Sequence, residues 1–335
     1  MKKFLSVLLA LAMIFSLTVT VSADETKGEM DGYVVVLHTN DVHGAISGYA
    51  KVAALKKAYE AEGAYVLLMD AGDFCQGDPT VSVSQGKTAV ELMNMAGYDV
   101  TTLGNHEFDY GMDQFLNVIV PKMKATYVSA NFVKNGKPVF DTYKMMTYGD
   151  KKVAFVGIDT PESFTKSTPT YFQDANGNFV YSFAEGNNGA DLYNKVQETV
   201  NAAKKDGATY VVAIAHLGID ESSEPWRSTD LIANTTGIDV VLDGHSHSTI
   251  EKEMVKNKDG KEIPLSSTGT KLVNIGKLTI SDGKFTTELV TDYAVKDDAT
   301  DTFVKSIQEK NEALVNTVVA KSSVDLTTKR ADGTR

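Results

Sequence analysis

The sequence predicts an α/β protein built on two sheets, and three observations carry that expectation. Short runs rich in β-branched residues alternate with amphipathic stretches from residue 33 onward. Five of these runs end in a cluster of polar, ligand-type residues. The 335 residues are 42% hydrophobic and 23% charged, the balance of a chain that buries a sizeable core, so disorder is not the starting assumption.

Residues 1–23 stand apart from the rest of the chain. Lys2 and Lys3 precede an apolar stretch from Phe4, which closes on Val21-Ser22-Ala23 with small residues where a signal peptidase needs them. This pattern predicts a cleaved export signal and a secreted, extracytoplasmic protein (periplasm, cell wall or exterior). The stretch is long enough to be an uncleaved anchor. Thr18, Thr20 and Ser22 dilute its second half, however, and no cysteine follows Ala23 to carry a lipid. No stable membrane insertion is expected after cleavage.

The strand-like runs lie at 33–38, 65–69, 99–103, 210–215 and 239–242. Helix-like segments at 50–61, 88–95, 112–124 and 191–205 separate them, the last stopped by Gly207. A β-rich middle spans 127–160, and 272–293 reads as a hairpin turning at Asp282-Gly283, which makes two sheets the better expectation than one. Residues 301–320 read as a helix with Phe303, Ile307, Leu314 and Val318 on one face. The tail 321–335 is polar.

The formal net charge is −11, and removal of 1–23 takes away two lysines and no acid, leaving −13. Nucleic-acid polymers and anionic membranes are therefore excluded as natural partners. An anionic small substrate needs a local positive focus, and bound metal would supply one. Cys75 is the only cysteine, so no intrachain disulfide braces the fold.

The chemistry lies at the run ends. Leu37 leads into Asn40-Asp41-Val42-His43, Met69 into Asp70-Ala71-Gly72-Asp73, and Leu103 into Gly104-Asn105-His106-Glu107. Ala215 leads into His216, and Leu242 into Asp243-Gly244-His245-Ser246-His247. Open α/β sheets place their sites beyond the carboxyl ends of strands, so these endings can converge in one crevice. Five of the six histidines sit there. One histidine after a strand is ordinarily a packed residue, but five desolvation-costly clusters at one topological position do not recur by accident. Imidazole, carboxylate and amide oxygen without thiolate suit zinc, manganese, iron(II) or cobalt. The ligand set exceeds what one ion needs, so two divalent ions sharing a carboxylate are expected, with Asp73, behind a flexible glycine, as the bridge.

The set Asp41-x-His43, Gly72-Asp73, Gly104 to Glu107, His216 and Gly244 to His247 resembles the calcineurin-like metallophosphoesterases. The flanking words LHTND, GNHEFDYG, ESSEPW and GIDVVLDGHSH resemble the bacterial 5'-nucleotidase (bifunctional UDP-sugar hydrolase/5'-nucleotidase) branch, over about residues 33–320. The resemblance implies a four-layer αββα sandwich, two mixed β-sheets flanked by helices. It implies that Asp41, His43, Asp73 and His247 hold one ion and that Asp73, Asn105, His216 and His245 hold the other. In some members a glutamine stands at the position of His247, a departure that bears on metal preference. His106 matches the family's catalytic histidine and Asp109 its partner carboxylate. The implied reaction is hydrolysis of a nucleotide or other small phosphoester by a water activated between two ions. A cyclic-nucleotide phosphodiesterase/3'-nucleotidase or a UDP-sugar or dinucleotide pyrophosphatase shares the same site.

Members of this branch continue, after a linking helix, into a second domain that stacks on the nucleobase and touches the phosphate. The expected division is thus an export signal at 1–23, a catalytic domain at 24–300, and at 301–335 the linking helix and the start of a substrate domain this chain lacks, as in a truncated gene or fragment. A secreted metal- or phosphate-binding protein without turnover is the competing class. It is disfavoured because an idle descendant loses ligands and none is lost. Of the remaining polar residues, His38 reads as a packed histidine bonded to backbone, Cys75 as a small loop filler and Trp226 as a packing anchor. Glu107, Asp243, Asp70 and Asp78 read as supports behind the ligands.

Overall fold

The strand Val34–Thr39 is buried at all six positions, as a strand covered on both faces must be. It lies third in a six-stranded sheet whose spatial order is Lys284–Val290, Ile275–Ser281, Val34–Thr39, Tyr65–Asp70, Val100–Thr101, Thr126–Tyr127. The last four run parallel, and the first two form an antiparallel hairpin against them. A second six-stranded sheet has the order Thr249–Lys256, Glu262–Thr268, Val240–Asp243, Tyr210–His216, Lys151–Asp159, Tyr143–Tyr148, with its four central strands parallel. The computed structural model describes residues 28–318, 320–324 and 327; residues 1–23, read above as an export signal, and most of the tail lie outside the described residues.

Strand alternation sorts the core into layers. Val34, Val36, Leu67 and Met69 of the first sheet meet Phe155, Val212, Ile214 and Leu242 of the second between the sheets. The opposite face of the first sheet, with Val35, Leu37 and Leu68, packs under the helices Tyr49–Ala61 and Lys87–Ala96. The outer face of the second, with Val156, Ala213 and Val241, packs under Ala190–Lys205 and Ser228–Asn234. Helix, sheet, sheet, helix is the expected sandwich.

Most expected elements appear within a residue or two. Both Asp282 (φ 49°) and Gly283 (φ 75°) are left-handed, the requirement of a two-residue turn that matches strand twist. Three expectations need correction. The single helix read at 112–124 is three short pieces, Met112–Gln114, a π-helical turn Phe115–Ile119 and Val120–Lys122, because Pro121 has no N–H and its ring clashes with the preceding turn. The strand pair Thr249–Lys256 and Glu262–Thr268 was not foreseen: the first is exposed at most positions and carries no apolar run. The last helix is Asp298–Val315, beginning where the Asp297 carboxylate accepts from Thr300 N at 3.0 Å. Phe303, Val304 and Ile307 pack it onto the first core, whereas Val318 lies beyond its end, 73% exposed, and the side chain of Leu314 is outside the described residues. Among the described residues no helix is long and apolar enough to cross a membrane.

Candidate metal centre

All the parallel strands point their carboxyl ends to one edge, so the polar segments after them meet there. The first sheet delivers Asp41, His43, Asp73 and Asn105, and the second delivers His216, His245 and His247. Three groups result: Asp41, His43 and His247; His43, Asp73 and His106; and Asp73, His216 and His245, with potential ligand atoms in each within 4.8 Å of one another. Asp73 belongs to two of them. Its Oδ2 lies 3.2 Å from His216 Nε2 and 3.8 Å from His43 Nε2, the place expected of a bridging carboxylate. His247 Nε2 is 3.5 Å from Asp41 Oδ1.

Whether these residues fit divalent ions can be tested on their unmet hydrogen-bonding capacity. Asp41 Oδ2 accepts from Asn40 Nδ2 (2.7 Å) and His245 N (2.9 Å), which leaves Oδ1 buried without a partner. Asn105 Oδ1 and His216 Nε2 are buried and unpartnered as well. Orphaned buried polar atoms cost about 1–3 kcal/mol each, and a pair of cations, one beside Asp41 and one beside Asn105 and His216, would satisfy all three. His216 Nδ1 meets the Ala71 carbonyl at 2.6 Å and His43 Nδ1 the Gln76 carbonyl at 3.2 Å. A carbonyl only accepts, so each ring keeps its proton on Nδ1 and turns an Nε2 lone pair inward. His43 Nε2, an acceptor, stands 2.9 Å from His247 Nε2, a contact that a proton on His247 or a cation shared by the two rings satisfies. The donor set fits.

The backbone also bends to this end. Asp41, His43, Asp73, His245 and His247 all have positive φ, between 45° and 77°, a conformation that costs a non-glycine residue about 1–3 kcal/mol and persists at functional sites. Gly104 lets two loops touch: a Cβ there would lie 2.1 Å from Asp73 Oδ1 and 2.6 Å from Asp73 N. Glu107 stitches the same loops together, accepting from Asp73 N, Phe74 N and Gly104 N at 2.9, 3.0 and 2.5 Å. Asp243 does likewise for Leu217 N and Gly218 N.

Electrostatics follow from burial and crowding. Burial pushes the Asp41 carboxyl up to about 7, with His216 opposing and Asp73 adding to it. Burial also disfavours the Asp73 carboxylate, but His216, His106 and His43 outweigh it and hold the group well below the usual carboxylate range. The same acids raise His216 against its own burial; the cluster attracts positive charge at Nε2, whether proton or metal ion. His106 Nδ1 donates to Asp109 Oδ2 at 2.6 Å. Burial lowers the His106 pKa, yet Asp109 and Asp73 outweigh it and raise it to about 9, so the ring is cationic at neutral pH.

A crevice of about 180 Å³ opens on Asp73, Asn105, His106, His245 and His247, and Lys166 is the cation on its wall. A larger groove beside Tyr110 and Tyr171, about 790 Å³, contains none of the expected ligands. Asp70 bonds Thr39 and Gly72, and Asp78 caps a short helix, as supports do. Cys75 is buried, and Trp226 packs on the second core. His38 is a correction: it is packed flat against Gly276, but neither ring nitrogen has a hydrogen-bond partner, and burial lowers its pKa to about 3. Sequence reading missed Glu162 and Lys166, and held Ser223 only as part of the ESSEPW word. Glu162 Oε2 accepts from His245 Nε2 at 2.8 Å and from Ser223 Oγ at 2.6 Å, and Lys166 lies on the same turn. The signal was a sixth strand end, since Glu162 follows the strand Lys151–Asp159.

Comparison with known proteins adds relatives to this geometry. A snake venom 5'-nucleotidase from Gloydius brevicauda is 27% identical over 268 residues, 69% of this chain and 42% of that protein. A 2',3'-cyclic-nucleotide 2'-phosphodiesterase/3'-nucleotidase from Haemophilus influenzae is 29% identical over 288 residues, 72% of this chain and 42% of that one. The chain thus spans about two fifths of the length of the curated relatives it matches. The fold matches the crystal structure of a 5'-nucleotidase precursor from Thermus thermophilus with a TM-score of 0.71 at 22% identity, over 88% of this chain and 62% of that one. The model of the calcineurin-like phosphoesterase domain matches residues 34–249, a stretch that opens on the first core strand and contains all the residues gathered at the crevice, and the chain belongs to that family.

Proposed function

We propose that the chain hydrolyses phosphoesters of nucleotides, in the 5'-nucleotidase manner, with two divalent ions as cofactors. The observation that carries this is the convergence of seven donor residues on one crevice, with Asp73 shared and three buried donor atoms otherwise unsatisfied. Asp41, His43, Asp73 and His247 would hold one ion, and Asp73, Asn105, His216 and His245 the other. The N/O donor set without thiolate points to zinc, manganese, cobalt or iron(II). Ions bound there would supply Lewis acidity, which screens phosphate charge and lowers the pKa of water toward neutrality so that its deprotonated form is available as nucleophile.

The chain's own residues do the rest. His106, its Nδ1 proton held by Asp109, presents Nε2 to the crevice and can donate to a phosphoryl or leaving-group oxygen as charge builds there. Asp109 fixes the ring's orientation and supports its positive charge. Lys166 adds a positive charge on the wall of an otherwise acidic protein. The export signal read at 1–23 would put this activity outside the cytoplasm.

The test is release of phosphate from AMP, p-nitrophenyl phosphate and 2',3'-cyclic AMP by metal-reconstituted protein, with and without chelator; the cyclic substrate is included because of the Haemophilus relative. Chelator-sensitive release is expected. Its absence with all three substrates leaves a metal- or phosphate-binding protein without turnover.

A further inference from the structure

The histidines of the centre are anchored in two different ways. His43 and His216 each place Nδ1 on a backbone carbonyl, of Gln76 and Ala71, a contact that no side-chain substitution removes directly. His245 instead places Nε2 on a side chain, the Glu162 carboxylate, at 2.8 Å. Both partners are largely buried, with side chains 8% and 10% exposed. The same Glu162 oxygen accepts from Ser223 Oγ at 2.6 Å, across 61 residues of sequence. The Glu162 backbone is pinned too: its N–H donates to Thr160 Oγ1, and its carbonyl accepts from Thr165 and Lys166. The carboxylate is therefore held from behind and spans from the turn after one strand to the ligand after another.

We propose that Glu162 is a positioning residue for one of the two ions, acting through His245. Accepting from Nε2–H, it fixes the tautomer whose Nδ1 lone pair is free, sets the ring's direction, and makes the imidazole a better donor. Ser223 holds the carboxylate in that pose, which ties the loop Glu221–Ser223 to the ligand behind it. This assignment rests on the two-ion reading above and deepens it. It makes a selective claim: the ion held with His245 depends on Glu162, and the ion held by Asp41, His43 and His247 does not.

The experiment is titration of the metal-free protein with cobalt(II), followed by visible absorption and calorimetry, with no substrate present. Wild type is expected to bind in two steps. Glu162→Ala should weaken one step by about 10- to 100-fold and leave the other unchanged. Glu162→Gln, the same size and still able to accept from Nε2–H, should recover most of that loss; metal-free, both variants should be fully folded at the titration temperature, with Glu162→Ala melting a few degrees below wild type because Ser223 Oγ and His245 Nε2 lose their acceptor. Two unchanged steps in Glu162→Ala, or equal weakening of both, overturns the role of Glu162 alone. Uptake of fewer than two ions by wild type overturns the two-ion reading and this role with it.

Discussion

Replacing Gly104 with alanine isolates the contact on which the bridging carboxylate depends. The residue has φ −96° and ψ −178°, extended backbone that alanine adopts freely, so the cost is steric and not conformational. The new methyl would meet Asp73 Oδ1 at 2.1 Å, whereas real Cβ contacts stay beyond 3.0 Å, so the carboxylate must retreat by about 1 Å. The Asp73 backbone nitrogen, at 2.6 Å, cannot give way because its N–H is held by Glu107. The retreat also strains the bond from His106 N to Asp73 Oδ1, now 2.8 Å. Overpacking of this kind costs about 1–3 kcal/mol of stability, and a misplacement of about 1 Å in reacting geometry costs about 100-fold in rate. Metal content by elemental analysis, chelator-sensitive phosphate release and thermal unfolding measure the three effects. Gly136→Ala is the control: φ is 73° and no atom lies within 4 Å, so it should lose about 1–2 kcal/mol through backbone strain with metal content unchanged. Wild-type metal affinity and turnover in Gly104→Ala would refute the reasoning.

His106→Ala should lower kcat by about 10²–10³-fold while both ions stay bound, as the proposed role of stabilising charge without ligating requires; normal turnover in the metal-loaded variant rules that role out. Lys166→Ala should raise KM for a phosphomonoester a few-fold with kcat unchanged. The effect should fade at high salt, because a lysine 49% exposed contributes only about 0–1 kcal/mol; an unchanged KM at low ionic strength removes Lys166 from substrate binding. Chelation should lower the unfolding midpoint. An ion present at about 100 times its Kd stabilises the fold by about 2.7 kcal/mol, so a midpoint indifferent to both chelator and added zinc or manganese contradicts the donor-set argument.

Much of this site is legible in the sequence because ligand-bearing loops follow parallel strands directly, and a short continuous apolar run marks where each strand stops. Asp41, Asp73 and His216 are found that way. Glu162 is not, for it stands alone, without a histidine or glycine beside it, and its partner His245 is 83 residues away. The strand Thr249–Lys256 is missed for a related reason: an exposed edge strand has no buried face to write into its residues. Pro121 was a local signal in plain view, and the amphipathic spacing around it hid the break. The orphaned ring of His38 is a tertiary fact, set by how closely Gly276 approaches across the sheet.

The two sheets share out the candidate ligands so that neither owns a whole proposed ion site: the first has the carboxylates and the amide, the second three of the imidazoles. The first sheet itself is complete only when Ile275–Ser281 pairs beside Val34–Thr39, which joins chain segments some 240 residues apart. A nascent chain emerging in order therefore has no competent cage until the strand Ile275–Ser281 has been made. Capture of metal becomes a late event, and cobalt colour a clock for the closing of the sandwich.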